Sequence, residues 1–204
     1  MNECKHCENE LLIDYHEIIE CITAALDAKD QYTAGHSQRV SDMALVVCKL
    51  IGLKDRDIQK IHIAAHLHDI GKIGVPDSVL LKEGKLNDDE WELIKKHPEI
   101  GASILSKSSH LNELKEIVIC HHERFDGKGY PNGIAGEKIP LGARIIAICD
   151  SIDAMSSNRC YRKAHNLDYC YNEIEKNLGK MYDPMIGRYV LEHWNDITDI
   201  LNID

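Results

Sequence analysis

Residues 121–131 read His-His-Glu-Arg-Phe-Asp-Gly-Lys-Gly-Tyr-Pro, and His68-Asp69-Ile-Gly-Lys72 stands earlier in the chain. Two adjacent imidazoles that lead into a glycine-rich turn, together with a His-Asp pair and a nearby lysine, describe a metal-centred phosphate site. Imidazoles and carboxylates are ligands for divalent transition ions. An ammonium group beside them offsets charge on phosphoryl oxygens.

His68 and Lys72 are four apart, so both project from one helical face. Asp69 lies about 100° further round, still within reach of an ion at a helix end. His97 immediately precedes Pro98. Neighbours such as His121 and His122 diverge on a helix and reach one ion only where the helix unwinds into the glycine loop. Asp150 closes the apolar run Arg144-Ile-Ile-Ala-Ile-Cys-Asp150, where an unpaired carboxylate is costly and calls for a cation. Taken singly, each of these groups is explained by packing. Jointly, His36, His68, Asp69, His97, His121, His122 and Asp150, each at a helix or loop junction, are not. His62 and His66 share the i, i+4 spacing of a metal pair, but no Asp and Lys follow them, and we assign them to packing. Cys4 and Cys7 form half of a zinc site with no second half downstream, which reads as an unligated tail.

The elements that position these groups read as helices almost throughout. Leu11, Leu12, Tyr15, Ile18, Ile19, Ile22, Ala25 and Leu26 have the spacing of one buried stripe. A second helix carries Val40, Met43, Ala44, Val47, Leu50 and Ile51 and ends at Gly52. A third, capped by Asp55 or Asp57, runs through Ile58, Ile61 and Ala65 to His68, where Gly71 and Gly74 break it. Asn87 with Glu90 has the form of a capping box, and His97-Pro98 closes that helix. Another helix spans about 112–122. Residues 123–142 hold five of the thirteen glycines and two of the five prolines, so they form a functional loop rather than a linker. Gly127 and Gly129 supply positive φ for its turn. Helices near 142–157, 167–178 and 185–200 complete an all-α fold: a single compact helical bundle with a long Gly/Pro-rich loop. We divide the chain into an N-terminal tail and helix (1–29) and one domain (30–204).

Composition narrows the function classes. The 204 residues suffice for one domain with a real core. A net charge of −10 argues against a surface that coats nucleic acid. No apolar run approaches a membrane span, and the polar N-terminus is unlike a signal peptide, so a soluble cytoplasmic protein is expected. Cys21, Cys48, Cys120 and Cys149 lie in helical apolar patterns and read as small buried hydrophobes, reduced in that compartment.

The strings His68–Lys72 and His121–Pro131 resemble the two signatures of the HD-GYP family, bacterial cyclic dinucleotide phosphodiesterases of the HD phosphohydrolase superfamily. The resemblance extends to 33–40, 80–86, 97–101 and 156–162. It implies an HD-domain helical bundle in which His36, His68 and Asp150 hold one metal and His97, His121 and His122 hold a second. Asp69 would bridge the two. The metals would be divalent transition ions, Fe or Mn first and Zn or Ni next, since imidazole-rich shells suit these over Mg or Ca. Five neutral imidazoles and two carboxylates around two such ions leave roughly +2, which favours a phosphodiester. Some family members carry a Glu four residues before the first histidine ligand and bind three metals; Tyr32 stands there in this chain, so two are expected.

The implied reaction is hydrolysis of cyclic di-GMP to linear pGpG, and onward to GMP, by a hydroxide bridging the metals. Asp69 and Lys72 would be the catalytic pair, Lys72 also binding the phosphate. Tyr130 is implied as a substrate contact, and Arg159 and Arg162, three apart, could grip the second phosphate. Asp153 and Asp30 would orient ligands. Rival readings are another 3′,3′-cyclic dinucleotide such as cyclic GMP-AMP, a general HD phosphohydrolase acting on nucleotides or phosphomonoesters, and a non-catalytic dinucleotide receptor or adaptor. A regulatory protein partner acting through residues 1–29 is a further expectation; a nucleic-acid polymer or a membrane is not expected as a partner.

Overall fold

The computed structural model describes residues 15–30, 35–158 and 163–202. Cys4, Cys7, Tyr32, Arg159 and Arg162, singled out above, lie outside the described residues. The described residues are all-α: no β-sheet forms, and one isolated bridge joins Leu178 to Tyr182. No described helix is long and apolar enough to cross a membrane.

Three helices make the centre: α2 (His36–Leu50), α3 (Asp55–Leu67) and α8 (Leu141–Ser156). Each owes its place to apolar residues at three- and four-residue intervals. Val40, Met43, Ala44 and Val47 from α2 meet Ile58, Ile61, Ala64 and Ala65 from α3, and all are buried. From α8 come Ile145, Ile146, Ile148, Cys149 and Ile152, none exposed at all. Burying each large side chain stabilises by about 1.5–3 kcal/mol before conformational entropy is subtracted. Val118 of α7 (Lys115–Ile119), Ile174 of α9 (Leu167–Lys176), and Ile186 and Val190 of α10 (Pro184–Glu192) close the same core. Gly52, at φ 74°, ends α2 in the left-handed conformation, with Leu53 N–H donating to the Cys48 carbonyl at 3.1 Å.

Several boundaries differ from the sequence expectation. Lys54, in extended conformation, precedes α3 and gives no side-chain cap; Asp55 and Asp57 sit inside the first turn, where the helix dipole favours their charge. The helix that starts at the Asn87 cap, α5 (Asp88–Ile94), stops short of Pro98, and α6 (His97–Leu105) opens with that proline in its first turn. Instead of one helix over 112–122, a 3-10 turn (Leu111–Leu114) feeds α7, which stops at Ile119. A short α4 (Asp77–Leu80) was not anticipated, and His193 separates α10 from α11 (Trp194–Thr198). The first helix, α1 (Tyr15–Lys29), buries Ile19, Thr23 and Leu26, whereas Ile18 and Ile22 are exposed. Cys21 is exposed too: only one face of α1 meets the body, and this residue points the other way. Cys48 and Cys120 are buried, and burial pushes their thiols up to about 12 and about 11.

The capping box is present: the Asn87 side chain accepts from Glu90 N–H, and the Glu90 carboxylate accepts from Asn87 N–H, both at 2.8 Å. Asn87→Ala should cost about 1 kcal/mol, read as a Tm lower by about 2–4 °C. An unchanged Tm would mean that tertiary contacts alone hold α5.

Candidate metal centre

Helix ends build the site. α3 terminates at Leu67, so His68 and Asp69 fall at the turn into a 3-10 segment (Ile70–Gly74). That segment crosses α6 in near backbone contact. A Cβ on Gly71 would lie 1.8 Å from the His97 carbonyl oxygen and 2.6 Å from Gly101 N, so only glycine permits the approach. The crossing puts His97 beside Asp69. α7 ends just before His121 and His122, and its early stop lets the two rings lie 4.0 Å apart, centroid to centroid. α2 and α8 bring in His36 and Asp150 from the opposite side.

Asp69 is the meeting point. Its Oδ1 lies 3.2 Å from His97 Nε2, and its Oδ2 lies 3.4 Å from His68 Nε2 and 3.7 Å from His36 Nε2. Two clusters able to hold a metal ion share this carboxylate: His36 and His68 on one side, and His97, His121 and His122 on the other. Asp150 Oδ1 stands 3.4 Å from His36 Nε2. Lys72 Nζ is 2.7 Å from Asp69 Oδ2 and 3.8 Å from Asp30 Oδ2.

The outer ring nitrogens show which atoms face inward. His68, His97 and His121 each donate Nδ1–H to the carbonyl three residues back, Ala65, Ile94 and Val118, at 2.7, 2.8 and 2.6 Å. Those carbonyls belong to helix ends, where backbone acceptors lack intrahelical partners. His36 donates Nδ1–H to Asp153 at 2.6 Å, and Arg39 Nε holds the same carboxylate at 2.5 Å. The Nε2 atoms of His68, His97 and His121 therefore carry lone pairs pointing inward. His68 Nε2 is buried without a hydrogen-bond partner, and His97 Nε2 faces His121 Nε2 at 3.2 Å. Lone pairs opposed to one another and to a carboxylate repel in a dry site; cations between them turn that repulsion into ligation. The donor set fits one or two divalent transition ions.

The charge states agree with this geometry. Burial opposes ionisation of Asp69, but Lys72, His68 and His97 hold its carboxyl well below the usual range. Burial lowers His121 strongly, and takes His122 to about 3 despite Asp150 nearby, so both rings stay neutral. Burial also works against charge on His36, but Asp150, Asp153 and Asp69 outweigh it and raise the group to about 9. A proton on His36 there occupies the direction a cation would take.

The loop after His122 is braced rather than loose. Gly127, at φ 75°, makes its turn. Gly129 does not have positive φ, contrary to the sequence expectation; a Cβ there would lie 2.3 Å from Arg124 N and 2.5 Å from the His122 oxygen. It is needed for close approach. Tyr130 N–H donates to the His122 carbonyl at 3.2 Å, the Tyr130 ring lies 4.9 Å from that of His122, and the Tyr130–Pro131 peptide is cis. Three contributors escaped sequence reading. Arg39 stands one turn after His36. Glu123, buried directly after the histidine pair, accepts from Asn132 and Gly133 N–H at 2.7 and 3.1 Å. Trp91, 46 % exposed, sits with its ring 6.4 Å from that of Tyr130. Their spacing from the ligands was a usable signal only for Arg39 and Glu123; Trp91 comes from another helix.

Asp153→Asn removes the charge that orients His36 and holds Arg39. Metal affinity or turnover should fall about 10–100-fold, measured by metal titration of the chelated protein; unchanged affinity would reduce Asp153 to a packing role.

The family model described as the HD domain matches residues 20–186. A cyclic di-GMP phosphodiesterase of Thermotoga maritima is 39 % identical over 186 residues, covering 90 % of this chain and 50 % of that protein. The 3′3′-cGAMP-specific phosphodiesterase 3 of Vibrio cholerae is 41 % identical over 170 residues, covering 81 % and 37 %. The chain thus spans half or less of the length of these relatives. Among solved structures, Bd1817, an HDG"Y"P protein from Bdellovibrio bacteriovorus, superposes with a TM-score of 0.63 over 91 % of this chain and 60 % of that one; at 18 % identity it speaks for the fold.

Proposed function

The chain belongs to the HD-domain family, and from that membership we propose that it is a metal-dependent phosphodiesterase of 3′,3′-cyclic dinucleotides, with cyclic di-GMP as substrate. Asp69 carries this proposal: one buried carboxylate faces two separate histidine groups through its two oxygens, as a ligand shared by two cations must. His36, His68 and Asp150 would hold one ion, and His97, His121 and His122 the other. The family resemblance favours Fe or Mn for this shell, and its imidazoles also suit Zn or Ni. Two such ions, when bound, polarise phosphoryl oxygens and activate water for in-line attack.

The chain's own groups supply the rest. Burial opposes charge on Lys72, but Asp69 and Asp30 raise its pKa, so an ammonium group stands beside the reacting phosphate to offset developing negative charge. Tyr130 and the exposed Trp91 offer aromatic faces at the rim of the site, on which a purine can stack. Arg159 and Arg162 are assigned to the second phosphate. We place the catalytic unit at residues 30–204, with α1 as a brace on its outer side. Support for cyclic di-GMP comes from the Thermotoga relative. The Vibrio relative supports cyclic GMP-AMP as a second reading.

The test is turnover of both dinucleotides by anaerobically purified protein loaded with Fe²⁺ or Mn²⁺. Linear pGpG, and then GMP, should form from cyclic di-GMP, and chelation should stop it. Faster cleavage of cyclic GMP-AMP would move the substrate assignment to the second reading. Tight dinucleotide binding without cleavage by the loaded protein would make it a receptor.

A further inference from the structure

The structure assigns a second, separate metal site to His16, His62 and His66, a three-imidazole cage for a single zinc-class ion that ties α1 to α3. It lies outside the Asp69 centre and does not depend on the activity proposed for that centre. His62 and His66 are one turn apart on α3, and His16 reaches them from α1. One ligand nitrogen from each ring lies within 4.8 Å of the other two. The ring centroids are 4.8–5.4 Å apart.

A hydrogen count identifies the ligand atoms. His16 Nδ1 is 3.2 Å from the Glu20 carboxylate, and His62 Nδ1 is 3.2 Å from the Ser41 carbonyl. The His62 Nδ1–H is thus donated outward, His16 Nδ1 pairs with the Glu20 carboxylate, and the two Nε2 atoms face each other at 3.2 Å. Tetrahedral ions with bonds of about 2.0–2.1 Å hold ligand nitrogens about 3.3–3.4 Å apart, close to that spacing. With the Ser41 hydroxyl proton assigned to the Gln38 carbonyl at 3.1 Å, its oxygen accepts from His66 Nε2–H, 2.9 Å away. The lone pair of His66 then sits on Nδ1, which is buried and has no hydrogen-bond partner. A proton shared between His16 and His62 would settle that pair and leave His66 Nδ1 unsatisfied. One cation among the three settles all of them.

The outward partners, a carboxylate, a backbone carbonyl and a hydroxyl, are those that fix tautomer and ring orientation in histidine metal sites. His16 is 40 % exposed at its side chain, so water can reach the cluster. Imidazole-only ligation with an open position suits Zn²⁺ and its neighbours and not Mg²⁺ or Ca²⁺. Because α3 leads directly into His68 and Asp69, the ion would fasten the N-terminal helix to the element that positions the Asp69 centre.

The test compares Zn²⁺ uptake by the full chain with and without His16→Gln plus His62→Gln, first in the native background and then with Asp69→Asn. His66 is left alone because it is too near His68. The double substitution should remove one equivalent of tightly bound Zn²⁺ in both backgrounds, weakening that equivalent by at least about 100-fold. Co²⁺ substitution should show tetrahedral visible absorption that the double substitution abolishes in the Asp69→Asn chain. His16→Gln alone, at a half-exposed position away from the core, should weaken the same equivalent without changing helix content. Zn²⁺ uptake that is unchanged by these substitutions would overturn the site, and would leave the Asp69 centre untouched.

Discussion

Asp69→Asn should lower the proposed hydrolysis of cyclic di-GMP by about 10³-fold or more and abolish binding of the proposed metal pair, while the fold persists. Asn matches Asp in size, so packing around this buried position is preserved. The electrostatics are not. One Asp69 oxygen faces His97 at 3.2 Å; the other faces His68, His36 and Lys72 at 3.4, 3.7 and 2.7 Å. An amide keeps one oxygen and replaces the other with an N–H donor, which cannot ligate a cation and carries no charge to balance two divalent ions. It also leaves the Lys72 ammonium buried beside a neutral group, which favours losing its proton. Elemental analysis and kcat/KM on the same preparation check the prediction. Native-like turnover by Asp69→Asn would show that the two histidine groups do not share this ligand.

Gly71→Ala should be the most damaging change of a residue that is not itself a ligand. The added methyl would sit 1.8 Å from the His97 carbonyl oxygen, 2.7 Å from its carbon and 2.6 Å from Gly101 N. All three are backbone atoms, so no side-chain rotation relieves the overlap. The 3-10 segment and α6 must move apart, at a cost of about 3 kcal/mol or more. That displacement carries His97 away from Asp69, so surviving protein should also lose metal. Denaturant unfolding and metal content are the measurements. Wild-type stability would mean that the two segments can separate freely and that their crossing does not position His97.

The all-α architecture was legible because α2, α3 and α8 each repeat apolar residues at helical intervals over three or four turns. Ladders this long leave few alternatives. Boundaries were less legible where tertiary contacts decide them: α7 stops at Ile119 although the pattern runs on, because His121 and His122 must unwind to face inward. Pro98 was read as a stop and is a start, since proline is compatible with both sides of a helix junction. Among candidate ligands, the strings around His68 and His121 stood out by local sequence, whereas His36 and His97 showed only their place at a junction and Asp150 only the cost of a carboxylate in an apolar run. Arg39, one turn past His36, and Glu123, next to the histidine pair, were signalled only by that spacing, and Trp91, from another helix, by nothing local. The third member of the His62 and His66 cluster is His16, from a separate helix, and no spacing within α3 could reveal it.

Loading the anaerobic apoprotein with Mn²⁺ and recording its electron paramagnetic resonance spectrum tests the shared carboxylate most directly. Two ions joined through Asp69 should give the broadened, exchange-coupled signal of a pair, lost in Asp69→Asn. A spectrum of isolated Mn²⁺ alone, at any loading, would contradict a two-cation centre built on Asp69.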